Sequence, residues 1–173
     1  MIKVAISKMK REQIPAVARV ASASFSGLKD LKIAKKWIDC NFNAFPRMFY
    51  FVAKLKEEIV GYVLWMEKGG FRERAVIELE QIAVLPEYRG KGIGTQLTEK
   101  SLCEIKKYLK KRGSVLKIIE VTTGTENKAQ RLYKKTLNAK VECTVKDLFR
   151  GDEVIMISRQ EKLRQEKLRQ EKK

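Results

Sequence analysis

The chain has 173 residues, enough for one domain with a full core, and 44% of them are hydrophobic, which is typical of a globular protein rather than a disordered one. Lysine and arginine (38) outnumber aspartate and glutamate (21), so the formal net charge is +17. The sequence contains no histidine, which excludes a Ser-His-Asp triad, a Cys-His pair and metal sites built on histidine. A general base must then be a carboxylate, a tyrosine, a lysine or a water chain.

The cysteine residues and the lengths of the apolar runs predict where in the cell the protein is located. Cys40, Cys103 and Cys143 are odd in number and scattered, which favours free thiols in a reducing compartment over a disulfide framework or a metal site. Lysines interrupt any apolar start, so we expect no signal peptide, and no stretch approaches the ~20 apolar residues of a membrane span. The sequence therefore predicts a cytoplasmic protein without a metal and without a membrane association.

The first half of the chain predicts a strand, two helices and a hairpin. Residues 2–7 alternate apolar and polar side chains, as a half-buried strand does. Helical spacing gives the first helix the inner residues Ile14, Val17, Val20 and Ala21. The same spacing gives the second helix the inner residues Leu31, Ala34, Trp37, Ile38 and Phe42. A loop is expected over 22–28, and two β-rich runs at 48–55 and 59–66 indicate a hairpin with its turn at 56–58.

The second half alternates strands with helices. A strand over 75–84 precedes a third helix over about 92–110, whose expected inner residues are Ile93, Leu97, Leu102, Ile105 and Leu109. Cys103 falls inside this helix, and we expect it in the core rather than as a nucleophile. A strand at 116–121, a helix around Tyr133 and strands at 141–148 and 154–158 follow, the last two joined by a turn at 150–152. The order β-α-α-β-β-β-α-β-α-β-β predicts an α/β fold with a mixed sheet of about seven strands flanked by four helices.

The C-terminal residues differ from the rest of the chain. The unit Arg-Gln-Glu-Lys-Leu occurs at 159–163 and again at 164–168. Its composition favours helix, but a period of five matches neither 3.5 nor 3.6, so no steady apolar seam results. We expect residues 1–158 to form one domain and residues 159–173 to form a charged tail, either helical or flexible.

The most informative stretch is Val-Leu-Pro-Glu-Tyr-Arg-Gly-Lys-Gly-Ile-Gly-Thr at 84–95, between a predicted strand and the third helix. Its glycines lack Cβ atoms, so the backbone can bend sharply and approach a ligand closely. Backbone N–H groups can then converge at the helix N-terminus, where the helix dipole also favours an anion. The spacing fits neither the P-loop nor the dinucleotide-binding pattern. With positive charge from Arg89 and Lys91, the stretch predicts a pyrophosphate cradle.

Two motifs resemble those of the GNAT acetyltransferase superfamily. The string Arg89-x-x-Gly92-x-Gly94 after a strand resembles its R/Q-x-x-G-x-G/A motif. Residues 125–135 resemble its second block, N-x-x-A-x-x-L-Y-x-K, with one alanine displaced by a position and with Asn138 near the place of the usual terminal glycine. Asparagine can adopt the left-handed conformation that ends a helix, so the turn is feasible. The resemblance implies a GNAT fold and direct acetyl transfer from acetyl-CoA to an amine in a ternary complex.

The resemblance also implies roles for individual residues. The pyrophosphate of acetyl-CoA would be held by Arg89, Gly90, Lys91, Gly92, Ile93, Gly94 and Thr95. Backbone groups of Ile82, Ala83 and Val84 would bind the pantetheine arm and the acetyl oxygen, and Asn127 would lie beside the pantetheine. Tyr133 would protonate the departing thiolate, because the ordinary phenol pKa of ~10 is close to that of a thiol.

The general base is left open among three glutamates. Glu78 and Glu80 lie two residues apart on one strand and therefore share a face, where a carboxylate could take a proton from an ammonium group directly or through water. Some GNAT enzymes carry a glutamate at the position matching Glu78, and others carry one on the strand that here holds Glu120. Because two acids converge on the first strand, we expect Glu80 and Glu78 ahead of Glu120.

The acceptor and the partners are less constrained. The acceptor could be a protein N-terminus, a lysine, a polyamine or a small amine, contacted by residues 24–28, the second helix and residues 148–152. The net charge would steer anionic ligands and could draw the protein towards nucleic acid or ribosomes, but no nucleic-acid motif accompanies it, so this association is not favoured. The alternative is a non-catalytic module on the same fold, which senses acetyl-CoA or binds nucleic acid. A homodimer is compatible with the sequence.

Overall fold

The computed structural model describes residues 2–160, which form seven strands and four α-helices in the predicted order. The strands are β1 (Ala5–Lys8), β2 (Met48–Leu55), β3 (Glu58–Lys68), β4 (Arg74–Val84), β5 (Val115–Gly124), β6 (Lys140–Val145) and β7 (Glu153–Arg159). The helices are α1 (Ile14–Ser24), α2 (Leu31–Asn43), α3 (Ile93–Lys111) and α4 (Gln130–Leu137). The strand order is β1-β2-β3-β4-β5-β7-β6, and the β4–β5 pair is parallel whereas β1–β2, β2–β3, β5–β7 and β6–β7 are antiparallel. The predicted mixed α/β sheet is confirmed.

The chain divides into two compact units, and the division falls within β3, β4 and α3. Of the described residues, the first unit comprises 2–66 and 80–104, and the second comprises 67–79 and 105–160. Among residues 2–160, no helix combines the length and the apolar composition that a membrane crossing requires.

In the first unit, α1 and α2 pack against the β2–β3 hairpin. Val17 and Ile38 from the helices share one apolar cluster with Val52 and Leu64 from the strands. The hairpin pairs run from Met48–Met66 to Leu55–Glu58, and the two residues between the strands include Lys56 at a φ of 52°. The hairpin predicted from the two β-rich runs is thus confirmed.

Two expectations about helix faces are wrong. In α2, Ala34 and Ile38 are buried as predicted, but Leu31 is 50% and Trp37 is 44% exposed. At 3.6 residues per turn Trp37 falls about 100° from Ile38, outside the buried face, whereas Leu31 lies on that face but is the first residue of α2, at the end of the helix. Cys103 on α3 is exposed rather than in the core, because successive residues of a helix turn by about 100° and the preceding residue already occupies the inner face. The expected loop over 22–28 contains the end of α1 and a 3₁₀ turn, Ser26–Leu28.

The second unit contains the first part of β4 together with β5, β7 and β6. The helix α4 ends at Asn138, which has a φ of 54°, so the left-handed turn predicted there is confirmed. The buried carboxylate of Glu67, whose side chain is 1% exposed, accepts two hydrogen bonds from Arg112 at 2.6 and 2.8 Å. The strand β7 extends through Arg159, one residue beyond the predicted domain end, and the predicted tail lies outside the described residues from position 161 onward.

Candidate active site

The glycine-rich loop connects the end of β4 to the start of α3. After Val84 the chain makes a 3₁₀ turn, Pro86–Tyr88, and then bends through Gly90 and Gly92, which have φ values of 73° and 81°. These angles lie in the left-handed region that side chains with a Cβ adopt at a cost. A Cβ added to Gly90 would meet no protein atom within 4 Å, so the space beside this part of the loop is open.

Backbone N–H groups converge where α3 begins. The first intrahelical bond runs from the N–H of Gln96 to the carbonyl of Gly92 at 3.2 Å. Helix geometry therefore leaves the preceding N–H groups, those of Ile93, Gly94 and Thr95, without an intrahelical partner. The helix is 19 residues long, and its dipole adds partial positive charge at this end. The predicted anion-binding geometry is present in this loop.

The two cations of the loop are held by neighbouring oxygen atoms. Arg89 donates from Nε to the carbonyl of Val84 at 2.9 Å and from Nη2 to the hydroxyl of Ser24 at 3.2 Å. Lys91 donates to the carbonyl of Glu87 at 2.7 Å. The guanidinium of Arg89 therefore connects the loop to the end of β4 and to the end of α1. The sequence did not indicate the contact with Ser24.

The N-terminal segment holds the other side of the loop. Ile2 donates its backbone N–H to the carbonyl of Lys91 at 3.0 Å. The side chain of Gln96 donates to the carbonyl of Ile2 at 2.6 Å and accepts from the backbone N–H of Val4 at 3.3 Å. The loop is thus fixed to the first residues of the chain, which gives it a defined shape.

The last residues of β4 extend beyond its ladder with β5. The parallel pairs run from Arg74–Val115 to Glu78–Glu120, whereas β4 continues to Val84. Ile82, Ala83 and Val84 therefore have no β5 partner among the pairs of the described chain. On the side that faces β3, the backbones of β3 and β4 lie close together. A Cβ added at Gly61 would stand only 2.8 Å from the carbonyl oxygen of Ala83.

The structure brings Glu78 together with Glu120 around one lysine. The ammonium of Lys68 lies 3.1 Å from Glu78 Oε2 and 2.6 Å from Glu120 Oε1. Burial alone would lower the pKa of Lys68, but the hydrogen bonds to Glu120 and Glu78 raise it above its usual range. Lys68 was not among the residues predicted from the sequence, and the acid that shares it with Glu78 is Glu120.

Glu80 lies in the first unit, near two buried tyrosines. Burial raises the pKa of Tyr50 and Tyr62, and the negative charge of Glu80 raises both further. Tyr62 donates its hydroxyl hydrogen to Gln81 Oε1 at 2.9 Å, and the rings of Tyr50 and Tyr62 lie 5.9 Å apart. The carboxylate of Glu80 is therefore close enough to Tyr50 and Tyr62 for its charge to act on both hydroxyl groups.

Tyr133 and Asn127 belong to the second unit. Tyr133 is 5% exposed on α4, and burial raises its pKa to about 12. The ordinary pKa of a phenol is ~10, and the match with the pKa of a thiol that the sequence predicted was based on this ordinary value. Asn127 donates from Nδ2 to Thr123 Oγ1 at 2.8 Å and accepts the N–H of Ala129 at 2.9 Å, so it stabilises the turn before α4. Within residues 2–160, no group of three or more Cys, Asp or Glu side chains is arranged to hold a metal ion.

Comparisons with known sequences all match acetyltransferases. The profile of the Acetyltransferase (GNAT) family matches residues 14–138. An uncharacterized N-acetyltransferase of Archaeoglobus fulgidus is 30% identical over 137 residues, which cover 74% of this chain and 88% of that protein. An uncharacterized N-acetyltransferase of Methanocaldococcus jannaschii is 34% identical over 105 residues, which cover 58% of this chain and 43% of that protein. The chain thus spans less than half the length of this second relative.

Solved structures share the fold at low sequence identity. A chimeric spermidine N-acetyltransferase from Vibrio cholerae and hSSAT has a TM-score of 0.72 at 18% identity, covering 93% of this chain and 98% of that chain. The NatC complex bound to Gag peptide and CoA gives 0.70 at 15% identity, covering 91% and 99%. The PaiA N-acetyltransferase from Thermoplasma acidophilum in complex with coenzyme A gives 0.61 at 20%, covering 91% and 99%. At these identities the likeness concerns the fold.

Proposed function

The chain belongs to the GNAT family of acetyltransferases, and we propose that it moves an acetyl group from acetyl-CoA to an amine by direct transfer in a ternary complex. The observation that carries this proposal is the loop at 89–95, where left-handed glycines expose backbone N–H groups at a helix N-terminus. A pyrophosphate binds well to such an arrangement. The NatC and PaiA structures, which hold CoA on the same fold, support the choice of ligand.

Within the loop, we assign different tasks to the backbone and to the two cations. The N–H groups of Ile93, Gly94 and Thr95 would bind phosphate oxygens directly, and the glycines would let the anion approach. Arg89 would shape the loop through its bonds to Val84 and Ser24. Lys91 is exposed, and turning its ammonium towards a phosphate exchanges a bond to a neutral carbonyl for a stronger bond to an anionic oxygen.

The end of β4 is proposed to hold the reacting thioester. Backbone groups of Ile82, Ala83 and Val84 that no β5 pair uses could bind the pantetheine arm and donate to the acetyl oxygen. Preorganised donors stabilise the negative charge that develops on that oxygen when the amine attacks. Gly61 supports this stretch, because any side chain there would push against the Ala83 carbonyl.

Tyr133 is proposed as the proton donor to the leaving sulfur, with Asn127 beside the pantetheine. A phenol whose pKa is about 12 stays protonated at physiological pH, so a donor is present in every turnover. The raised pKa makes proton transfer to a given thiolate less favourable by about 3 kcal/mol. A leaving thiolate in the same buried setting would also have its pKa raised by desolvation, which offsets this penalty.

Of the three glutamates, Glu80 is proposed as the base. Glu78 and Glu120 are both engaged with Lys68, so protonating either carboxylate would weaken an ion pair. Glu80 is half-buried, and its negative charge acts on the hydroxyls of Tyr50 and Tyr62. A carboxylate in this setting attracts an ammonium group and can take its proton directly or through one water molecule.

The acceptor is proposed to be an amine, either a small molecule or a protein group. Spermidine is named for one structural neighbour and a peptide is bound to another, so both classes are compatible with the fold. We also propose a cytoplasmic setting, which the three exposed free thiols Cys40, Cys103 and Cys143 support.

The proposal is tested by acetyl-CoA turnover, followed as release of free thiol, with pools of peptides, lysine peptides, polyamines and small amines. We expect release above background with one pool, and mass spectrometry of that pool should show one added acetyl group. Binding of CoA, measured by calorimetry in parallel, should be saturable. Absence of both binding and release would contradict the proposal, whereas binding without release from any pool would favour a module that senses acetyl-CoA.

A further inference from the structure

A cavity in the first unit lies far from the glycine-rich loop. Its volume is about 260 Å³, and it is lined at the start of β2 by Met48, Phe49 and Tyr50. Met48 pairs with Met66 near one end of β3, whereas the chain entering the loop bonds to Val60 near the other end. Val60 and Met66 are six positions apart along the strand, which corresponds to ~20 Å. The Met48 end of the cavity is therefore separate from the glycine-rich loop, while Tyr50, which also lines the cavity, lies on the side of the proposed base Glu80.

Aromatic rings form much of the cavity wall. Phe42 and Phe45 contribute from the end of α2 and the segment after it. Phe45 is 55% exposed, and its ring packs edge-to-face against Phe49 with the centroids 5.6 Å apart. This packing holds the wall in place before any ligand arrives. Preformed, largely apolar cavities with a few polar groups are the usual form of small-molecule sites.

One cation stands at this cavity. Of the described residues that line it, Lys8 is the one with a charge. Its ammonium lies 5.8 Å from the centre of the Phe45 ring, and the residue is exposed. The neighbouring Arg11 also contacts the aromatic cluster, but its guanidinium is bound to Asp39 at 3.0 Å. Lys8 is therefore the cation that a ligand in the cavity would meet.

We propose that this cavity, the Phe45 pocket, binds a small aromatic monocarboxylate, with the ring among the phenylalanines and the carboxylate at Lys8. An apolar cavity of about 150 Å³ holds benzene, so 260 Å³ suits a ring with a short chain, about ten heavy atoms in all. The positive charge of Lys8 complements a carboxylate and gives an amine no favourable contact. The ligand is thus neither of the two substrates of the proposed reaction, and it binds together with acetyl-CoA.

The test uses 3-phenylpropionate and its uncharged analogue 3-phenylpropanamide, titrated into the full chain by calorimetry. We expect saturable binding, with the acid bound about two to five times more tightly, the size of one solvent-exposed ion pair. Lys8→Met should abolish this preference, whereas Lys10→Met, which removes a lysine that does not line the cavity, should preserve it. Saturating acetyl-CoA should leave the affinity for 3-phenylpropionate unchanged.

A second variant tests the location. Met48→Trp places a larger side chain in the cavity and should weaken 3-phenylpropionate at least tenfold, while thermal melting and CoA binding report that the chain is folded. Absence of saturable binding to the parent chain, equal affinity for acid and amide, displacement by acetyl-CoA, or full affinity in Met48→Trp would each overturn the proposal. If Met48→Trp does not fold, the comparison of Lys8→Met with Lys10→Met still decides it.

Discussion

At the start of α3, Gly90 has a φ of 73°, and just past the end of the same helix Gly113 has a φ of 78°. A Cβ on either glycine would meet no atom within 4 Å. At the C-terminal turn, Gly113 and Ser114 donate to the carbonyls of Lys110 and Leu109 at 3.0 and 2.8 Å, which closes the helix. At the N-terminal turn, the N–H groups before Gln96 have no such intrahelical partners. The backbone needs glycine at both turns, but only the first turn leaves donors for a ligand.

Arg112 at the C-terminal turn and Arg89 at the N-terminal turn also differ in their hydrogen bonds and exposure. Arg112 forms two hydrogen bonds with buried Glu67, and its guanidinium lies 5.0 Å from the centre of the Phe71 ring. Arg89 makes single bonds to a carbonyl and to the hydroxyl of Ser24 and remains exposed. We infer that the C-terminal turn serves stability and that the N-terminal turn serves binding.

The largest expected effect is on stability, at the C-terminal turn. Arg112→Ala leaves the carboxylate of Glu67 buried without its partner, which should lower the free energy of unfolding by about 3–5 kcal/mol. Urea denaturation measures this, with Arg159→Ala as the matched control, because Arg159 binds Glu142 through two bonds while both side chains are 46% exposed. The control should have a much smaller effect, because water and salt screen an exposed ion pair. A raised KM for acetyl-CoA in Arg112→Ala, under conditions where it is folded, would contradict the separation of the two turns.

Tyr133 can be assigned to folding or to chemistry by one variant. Tyr133→Phe keeps the buried ring and removes only the hydroxyl, so we expect kcat to fall about a hundredfold while KM for acetyl-CoA stays within about twofold. Steady-state kinetics of thiol release measure both constants. Unchanged kcat would remove Tyr133 from the proposed proton transfer.

Tyr133→Phe also tests how the free energy of unfolding changes at alkaline pH. Since the folded pKa of Tyr133 is about 12 and the ordinary value is 10.0, the unfolded chain loses this proton first as the pH rises. The stabilisation by the neutral phenol is therefore complete below pH ~10 and is lost between pH ~10 and ~12, by up to about 3 kcal/mol. The difference in unfolding free energy between the parent chain and Tyr133→Phe should shift by that amount over this window, in favour of the variant. A constant difference would show that burial does not raise this pKa.

The sequence predicted what depends on local patterns. Ten of the eleven elements followed from apolar spacing and turn residues, and the loop at 89–95 followed from glycine spacing after a strand. The helix α4 followed from the family resemblance of residues 125–135. The ion pairs of Lys68 with Glu78 and Glu120 could not be predicted, because they depend on a parallel register that joins residues far apart in the chain. The raised pKa of Tyr133 could not be predicted from the sequence either, since it depends on how deeply the packed chain buries the side chain.

Replacing the two matched glycines separates strain from binding. Gly90→Ala and Gly113→Ala each place a Cβ at a positive φ, so each should lower the free energy of unfolding by about 1–2 kcal/mol. Only Gly90→Ala should raise KM for acetyl-CoA, by about five- to tenfold, because its new methyl group occupies the open space beside the loop. Denaturation and kinetics of both variants measure the two effects. An equal rise of KM in both variants would mean that strain alone explains the loss.

The smallest expected effect concerns two lysines at the two ends of α3. Lys91→Met removes a mobile charge from the loop and should raise KM for acetyl-CoA about two- to fivefold, the size expected of one solvent-exposed ion pair. Lys111→Met removes a lysine from the last turn, where a cation stabilises the helix dipole by about 0.3–1 kcal/mol, so it should lower stability by that amount and leave KM unchanged. Because salt screens exposed charges, the effect of Lys91→Met on KM should shrink as ionic strength rises. A KM effect that does not change with salt would assign Lys91 to the shape of the loop, through its bond to the Glu87 carbonyl, rather than to the charge of the ligand.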